Sequence, residues 1–229
     1  MKRIYFLLLA SLLSFTSAAQ AHFPNQTPEA DYAESRSLYD RALYSSASEG
    51  FQSILRRVDK QTDLAEQSHC YRVLCAIKLM NRDSDEQVHG FLQSYPTSAR
   101  RVELLIEMSE YAFNRRRYKD AKKWLKQLDG VRLPKAQRAA VQFKLGYSYF
   151  LLKEYDQARP QLAAVKASKY PDAKSAQYYY GHIAYLDSND VTALACFEPL
   201  RSHQQFGAVV PYYLAQIYAR NGMDNELLG

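Results

Sequence analysis

The sequence predicts an all-α chain built as a solenoid of antiparallel helix pairs, and three observations predict it. Glycine and proline are scarce, eight of each in 229 residues. That leaves too few turns for a many-stranded sandwich or barrel and long uninterrupted stretches for helices. Small residues recur at an interval near 34. Gly146 and Gly181 are 35 residues apart, as are Ala158 and Ala193; Ala121 precedes Ala158 by 37, Ala215 follows Gly181 by 34, and Ala76 precedes Ser109 by 33. Turn formers fall between the segments so defined: Asn81-Arg82-Asp83-Ser84, Asp187-Ser188-Asn189-Asp190 and Asn221-Gly222 supply helix N-caps and left-handed residues. The composition, 24% charged and 47% hydrophobic, is that of a globular protein. It excludes collagen-like, disulfide-scaffold and multi-span membrane classes.

The N-terminus reads as an export signal. Lys2 and Arg3 precede an apolar stretch over residues 4–15, and Ala19-Gln20-Ala21 is a small-x-small cleavage site that would leave His22 first. Cleavage after Ala19, leaving Gln20 first, is the alternative. The apolar stretch is shorter than the roughly 20 residues a bilayer span needs, and no later stretch is long enough. No cysteine near the cleavage point marks a lipid anchor. The expected organisation is a signal peptide over 1–21, a short leader over 22–30 and a helical repeat domain over 31–229 with an incomplete last unit. Loss of Lys2 and Arg3 lowers the net charge from +6 to +4.

The elements follow in order. Helices over 29–44 and 47–58 rest on Leu38, Ala42, Phe51 and Leu55. Helices over 62–81 and 84–94 rest on Cys75, Ala76 and the turn at 81–84. Tyr95-Pro96-Thr97 stops that unit, since the residue before proline leaves the helical region, and Ser98 can cap the next. Helices over 98–114 and 118–128 carry Ser109 and Ala121. Those over 134–152 and 155–168 carry Gly146 and Ala158 among Leu145, Tyr149 and Leu162. Tyr170-Pro171-Asp172 is a second unit join, with Asp172 able to cap. Helices over 173–186 and 190–200 carry Gly181, Ala193, Phe197 and Leu200, and a last helix over 208–221 carries Ala215. Pro160 is expected in the first turn of its helix, and Pro199 at a kink or early helix end.

Packing explains the repeat. In each unit the small residue on the first helix (A) lets the second helix (B) of that unit approach. The small residue early in helix B (Ala121, Ala158, Ala193) lets the following helix A approach. No unit buries its apolar face alone, so stability comes from stacking.

This pattern resembles the tetratricopeptide repeat (TPR) family from about Asp31 to Gly229, most clearly around Val102, Ala139 and Lys174. The resemblance implies a right-handed superhelical solenoid. The two Tyr-Pro joins and the run Pro211-Tyr212-Tyr213-Leu214-Ala215-Gln216-Ile217-Tyr218 look like those of exported envelope TPR proteins of Gram-negative bacteria. Among these are the outer-membrane barrel-assembly lipoprotein and the Tol-Pal-associated cell-division coordinator. The chain departs from the former in lacking a lipidated cysteine. The resemblance implies a non-enzymatic protein-binding scaffold, periplasmic or outer-membrane associated. A structural spacer or self-association arm, the N-terminal part of a longer envelope repeat protein, is the alternative.

In such a solenoid the A helices line the concave face. Residues one beyond the small position and three before it should face that groove: Ile106 and Glu110, Phe143 and Tyr147, Tyr178 and His182, Tyr212 and Gln216. Phe113, Phe150, Tyr185 and Ala219 follow one turn on. This is an aromatic groove with a few hydrogen-bonding groups, suited to a peptide or partner helix; the same rings would also serve simply to seal a tight solenoid. A second candidate surface is basic. Residues 100–144 hold 13 Lys and Arg against five Asp and Glu, with Arg115, Arg116, Arg117, Lys119, Lys122 and Lys123 concentrated at one turn and the helix after it. Export argues against nucleic acid and favours an acidic protein or envelope phosphates.

No catalytic site is legible. His182 has no nucleophile or carboxylate at a defined spacing, and His69, His89 and His203 are scattered. The 187–190 turn lacks the downstream glycine and glutamate of a calcium loop. No metal or other cofactor is expected, since the sequence has neither C-x-x-C nor H-E-x-x-H. Three cysteines in an exported chain leave at least one unpaired; Cys70 and Cys75, five apart on one helix, are poorly placed to bridge, and Cys75 and Cys196 fall on apolar stripes.

Overall fold

The computed structural model describes residues 27–223; the expected export signal and the residues after 223 lie outside them. Among the described residues the regular structure is all helical. The helices are α1 (Pro28–Asp40), α2 (Tyr44–Leu55), α3 (Asp63–Lys78), α4 (Ser84–Ser94), α5 (Arg101–Asn114), α6 (Tyr118–Leu125), α7 (Lys135–Leu151), α8 (Tyr155–Lys166), α9 (Ala173–Leu186), α10 (Asp190–Phe197) and α11 (Val210–Arg220). Single 3₁₀ turns over Lys126–Leu128 and Glu198–Leu200 extend α6 and α10. The chain divides into two compact units, at Tyr71–Arg72.

One device makes the pairs. The A helices α1, α3, α5, α7, α9 and α11 are each followed by a residue of positive φ: Ala42, Met80, Arg116, Lys153, Ser188 and Gly222. These lie 34 to 38 residues apart. Around each, two backbone hydrogen bonds recur. In the α5–α6 turn, Arg117 N–H donates to the carbonyl of Ala112 and Arg116 N–H to that of Phe113, both at 2.9 Å. The α7–α8 turn repeats this with Glu154 to Tyr149 and Lys153 to Phe150, and the α9–α10 turn with Asn189 to Ala184 and Ser188 to Tyr185. This is the Schellman closure, which satisfies the carbonyls orphaned at a helix end and reverses the chain within two residues. After α1, α5, α7 and α9 the next residue is already the N-cap of helix B. Asn189 also caps with its side chain, accepting from Thr192 N–H at 3.1 Å.

Residues 27–71 hold the first pair. Thr27 caps α1 with Pro28 in its first turn, where a missing N–H costs nothing. α1 packs on α2 through Tyr32 and fully buried Phe51 and Ile54. Tyr71 stacks on Phe51, and the Arg36 guanidinium lies 4.2 Å from the Tyr71 ring centre. Asp31, 1% exposed, is ion-paired with Arg57, as a buried carboxylate requires.

Residues 72–223 hold the rest. α5 packs on α6, α7 on α8 and α9 on α10, while α6–α7, α8–α9 and α10–α11 contacts join successive pairs. The two glycines sit at helix crossings. A Cβ on Gly146 would stand 3.0 Å from Gln161 Cβ and Leu162 Cγ, and one on Gly181 only 2.6 Å from Cys196 Cβ. Each therefore admits the B helix of its own unit. Ala121, Ala158 and Ala193 are fully buried. The cores are aliphatic and aromatic together: Leu125, Leu145, Tyr149, Leu162 and Val165 around α7 and α8, then Phe197, Leu200, Val210, Leu214 and Ile217 around α10 and α11.

Four expectations need correction. α2 starts at Tyr44, not 47, because Ala42 closes the turn without a glycine or asparagine to mark it. Pro160 lies in the second turn of α8, not the first. It is exposed there, so the carbonyl it leaves without a donor faces water rather than core. Asp172 occupies the N-cap of α9 but makes no side-chain cap bond. Ser98 accepts from Arg100 N–H at 3.0 Å, one turn earlier than a cap on α5. Pro199 does end α10 early, in a 3₁₀ turn. The three cysteines are buried, and no disulfide joins any described residues.

Candidate functional site

The A-helix face of residues 72–223 is built by a register rule. The residue one beyond the small position on one A helix meets the residue two before it on the next. Glu110 on α5 pairs with Lys144 on α7 at 2.5 Å. Tyr147 on α7 meets Tyr179 on α9 with ring centres 4.7 Å apart. His182 on α9 meets Tyr213 on α11 at 5.1 Å. Lys78 and Glu107 form a further ion pair between α3 and α5 at 2.5 Å.

Around these pairs the aromatic rings are continuous. Phe113 and Tyr118 lie edge-to-face, and both contact Tyr147. Phe150 touches Tyr179 and His182, and His182 lies among Phe150, Tyr178, Tyr185 and Tyr213. Tyr178 stacks on Phe206 at 4.5 Å with planes 10° apart. One hydroxyl adds a polar link between α9 and α11: Tyr185 donates to Gln216 Oε1. Burial pushes the Tyr178 phenol up to about 12 and raises Tyr179 further. Burial also lowers the His182 pKa below its ordinary value.

The expected groove residues therefore separate. Phe143 is buried and stacked on Tyr147. Tyr147, Tyr178 and His182 are half-buried within the ring network. Ile106, Glu110, Phe113 and Gln216 are half-buried, and Tyr212 is 65% exposed, touching Tyr213 alone among the rings. The reading missed Tyr118, Tyr179 and Tyr213. For Tyr179 and Tyr213 a signal was present: with Lys144 they occupy the positions two before Gly181, Ala215 and Gly146, each chemically matched to the preceding unit. Ile106 also lines a cleft of about 320 Å3 with Val102, Glu103 and Glu107.

The basic patch is partly neutralised. Arg117 is paired with Asp85 at 3.1 Å and with Asp120 at 2.7 Å, and Lys122 with Glu154 at 2.5 Å. Lys123 reaches His89 Nε2 at 3.1 Å and lies over the Trp124 ring. Arg115 reaches Met80 Sδ at 3.3 Å. Arg116 is the left-handed turn residue and Lys119 is exposed on α6.

Among the described residues no cluster of three or more His, Cys, Asp or Glu could hold a metal ion. Burial raises the Cys75 thiol to about 12 and raises Cys196 too, so both are poor nucleophiles. No described helix is long and apolar enough to cross a membrane.

No protein-family model matches the chain, and no curated protein matches it. A solved structure does: pilF of Pseudomonas aeruginosa, a TPR protein, superposes with a TM-score of 0.54 at 15% identity. The match covers 88% of this chain and 87% of that one. At that identity the likeness concerns architecture alone. With the recurring Schellman turns and the glycine crossings, it establishes a TPR-like fold of consecutively packed helix pairs.

Proposed function

We propose that the protein is a non-enzymatic scaffold of the bacterial cell envelope that holds a partner protein or peptide on its A-helix face. The observation that carries this is the face itself. Its rings and ion pairs are fixed by their neighbours, yet Ile106, Glu110, Phe113, Tyr212 and Gln216 remain in reach of solvent. Rigid aromatic side chains with a polar tip give large contact area at little entropic cost. The TPR-like fold supports a protein partner rather than a substrate. The envelope setting rests on the sequence of residues 1–21.

Site-specific photo-crosslinking tests this. A crosslinking residue at position 212 or 216 should capture one defined protein from envelope fractions. The same group at Gln157, exposed on the B helix α8, should not. Equal capture at all three positions, or none, sinks the groove reading and leaves the spacer reading. Fractionation with N-terminal sequencing checks the location: a mature protein starting at His22 or Gln20 supports export, and an intact Met1 in the cytoplasm opposes it.

A further inference from the structure

A second concavity lies apart from the A-helix face residues named above, where the 129–134 connector meets α7 and α8. It encloses about 400 Å3, within the size range of small-ligand sites. Its walls are aliphatic: Leu125, Leu128, Leu133 and Leu145, all buried, with Val131 and Val141 half-buried beside them. Among the described residues no tyrosine or phenylalanine lines it, although such rings crowd the other face. Arg132, Arg138 and Asp129 line it too and are exposed. Arg138 donates to the Leu133 carbonyl at 3.1 Å, which ties its guanidinium to the edge of the leucine wall.

We infer that this cleft binds an aliphatic carboxylate, the chain lying on the leucines and the carboxylate on Arg132 and Arg138. A saturated chain asks for no hydrogen bonds and fits a wall of branched aliphatic side chains. A peptide would bring one donor and one acceptor per residue, each costly to bury unpaired, and the side chains of the lining offer only the amides of Gln142 and Gln161 besides the charged groups. Guanidinium groups match a carboxylate in shape and charge. With Asp129 beside them the three charges sum to one positive, which suits a monoanion.

Calorimetric titration of the full chain with hexanoate, octanoate and decanoate, each below its self-association limit and beside the matching 1-alkanol, tests the site. The expected result is one saturable site, tightening by up to about 15-fold for each two methylenes added. The carboxylate should be preferred to the alcohol, and the preference should vanish in the R132Q/R138Q double variant. Both arginines are exposed, so that variant should keep the parent melting temperature. Methyl resonances of Leu128, Leu133 and Val141 should shift with the ligand. No saturable binding at millimolar concentration, or alcohols binding as well as carboxylates, overturns the inference. So does tighter binding of Leu-Leu-Leu with a free carboxylate than of octanoate, which would give the cleft to a peptide end.

Discussion

At the scale of single residues, the turns carry a cost that composition does not reveal. Ala42, Met80, Arg116, Lys153 and Ser188 hold φ between 58° and 61°, a region that costs an L-residue about 1–2 kcal/mol. Glycine occupies it freely but loses more freedom on folding. Lys153→Gly and Arg116→Gly should therefore each stabilise the protein by about 0.5–1 kcal/mol, read as a raised denaturation midpoint. No gain at either position would mean the Schellman closure is not strained. The glycines on the A helices are the opposite case. Gly181→Ala would set a Cβ 2.6 Å from Cys196 Cβ, and overpacking of this kind costs about 1–3 kcal/mol. Gly146→Ala meets its neighbours only at 3.0 Å or more. Its gain in helix propensity, up to about 1 kcal/mol, offsets part of the clash. The first variant should melt clearly below the second.

At the scale of elements, α4 and α6 are joined by a contact that the sequence did not announce. Trp124, the chain's single tryptophan and fully buried, donates its indole N–H to Asp85 Oδ1 at 2.9 Å. Asp85 Oδ2 accepts from Arg117 at 3.1 Å, and His89 lies over the indole at 4.6 Å. Asp85→Ala leaves a buried donor unpaired, which costs about 1–3 kcal/mol. Because Trp124 is unique, its emission reports this contact directly: the variant should shift to the red or change intensity before global unfolding. An unchanged spectrum with unchanged stability would show that the bond contributes nothing. Element boundaries were legible where residue chemistry marks them. The predicted spans 84–94 and 173–186 match α4 and α9, and α6, α8 and α10 start where expected. The turn after α1 was illegible, because Ala42 makes it and its side chain gives no sign of the left-handed conformation it adopts.

At the scale of the whole molecule, the repeat was legible because close helix approach demands small side chains at a fixed interval. The face it builds was legible only in half. Positions one beyond the small residue were identified, but their partners two before it were not, because that register follows from how successive A helices lie on each other. Once seen, it explains why Glu110 needs Lys144, Tyr147 needs Tyr179 and His182 needs Tyr213. It also sets the pH range of stability for residues 72–223. Burial lowers the His182 pKa below its ordinary 6.5, so the unfolded chain binds the proton more readily. The stabilisation is complete above pH 6.5 and is lost as pH falls through the folded value. The phenols run the other way. Tyr118, Tyr149, Tyr170, Tyr178 and Tyr179 are raised above their ordinary 10, chiefly by burial. Their contribution is complete below pH 10 and is lost as pH rises through the folded values. Urea midpoints should be flat between about pH 7 and 9 and fall on both sides. His182→Phe keeps a ring among Phe150, Tyr178 and Tyr213 while removing the proton site, so it should flatten the acid limb just below pH 6.5, where exposed carboxylates are still ionised. Tyr179→Phe should soften the alkaline limb and leave the acid one alone. An acid limb that persists in His182→Phe would place the sensitive group elsewhere and separate the histidine from the stacking of α9 on α11.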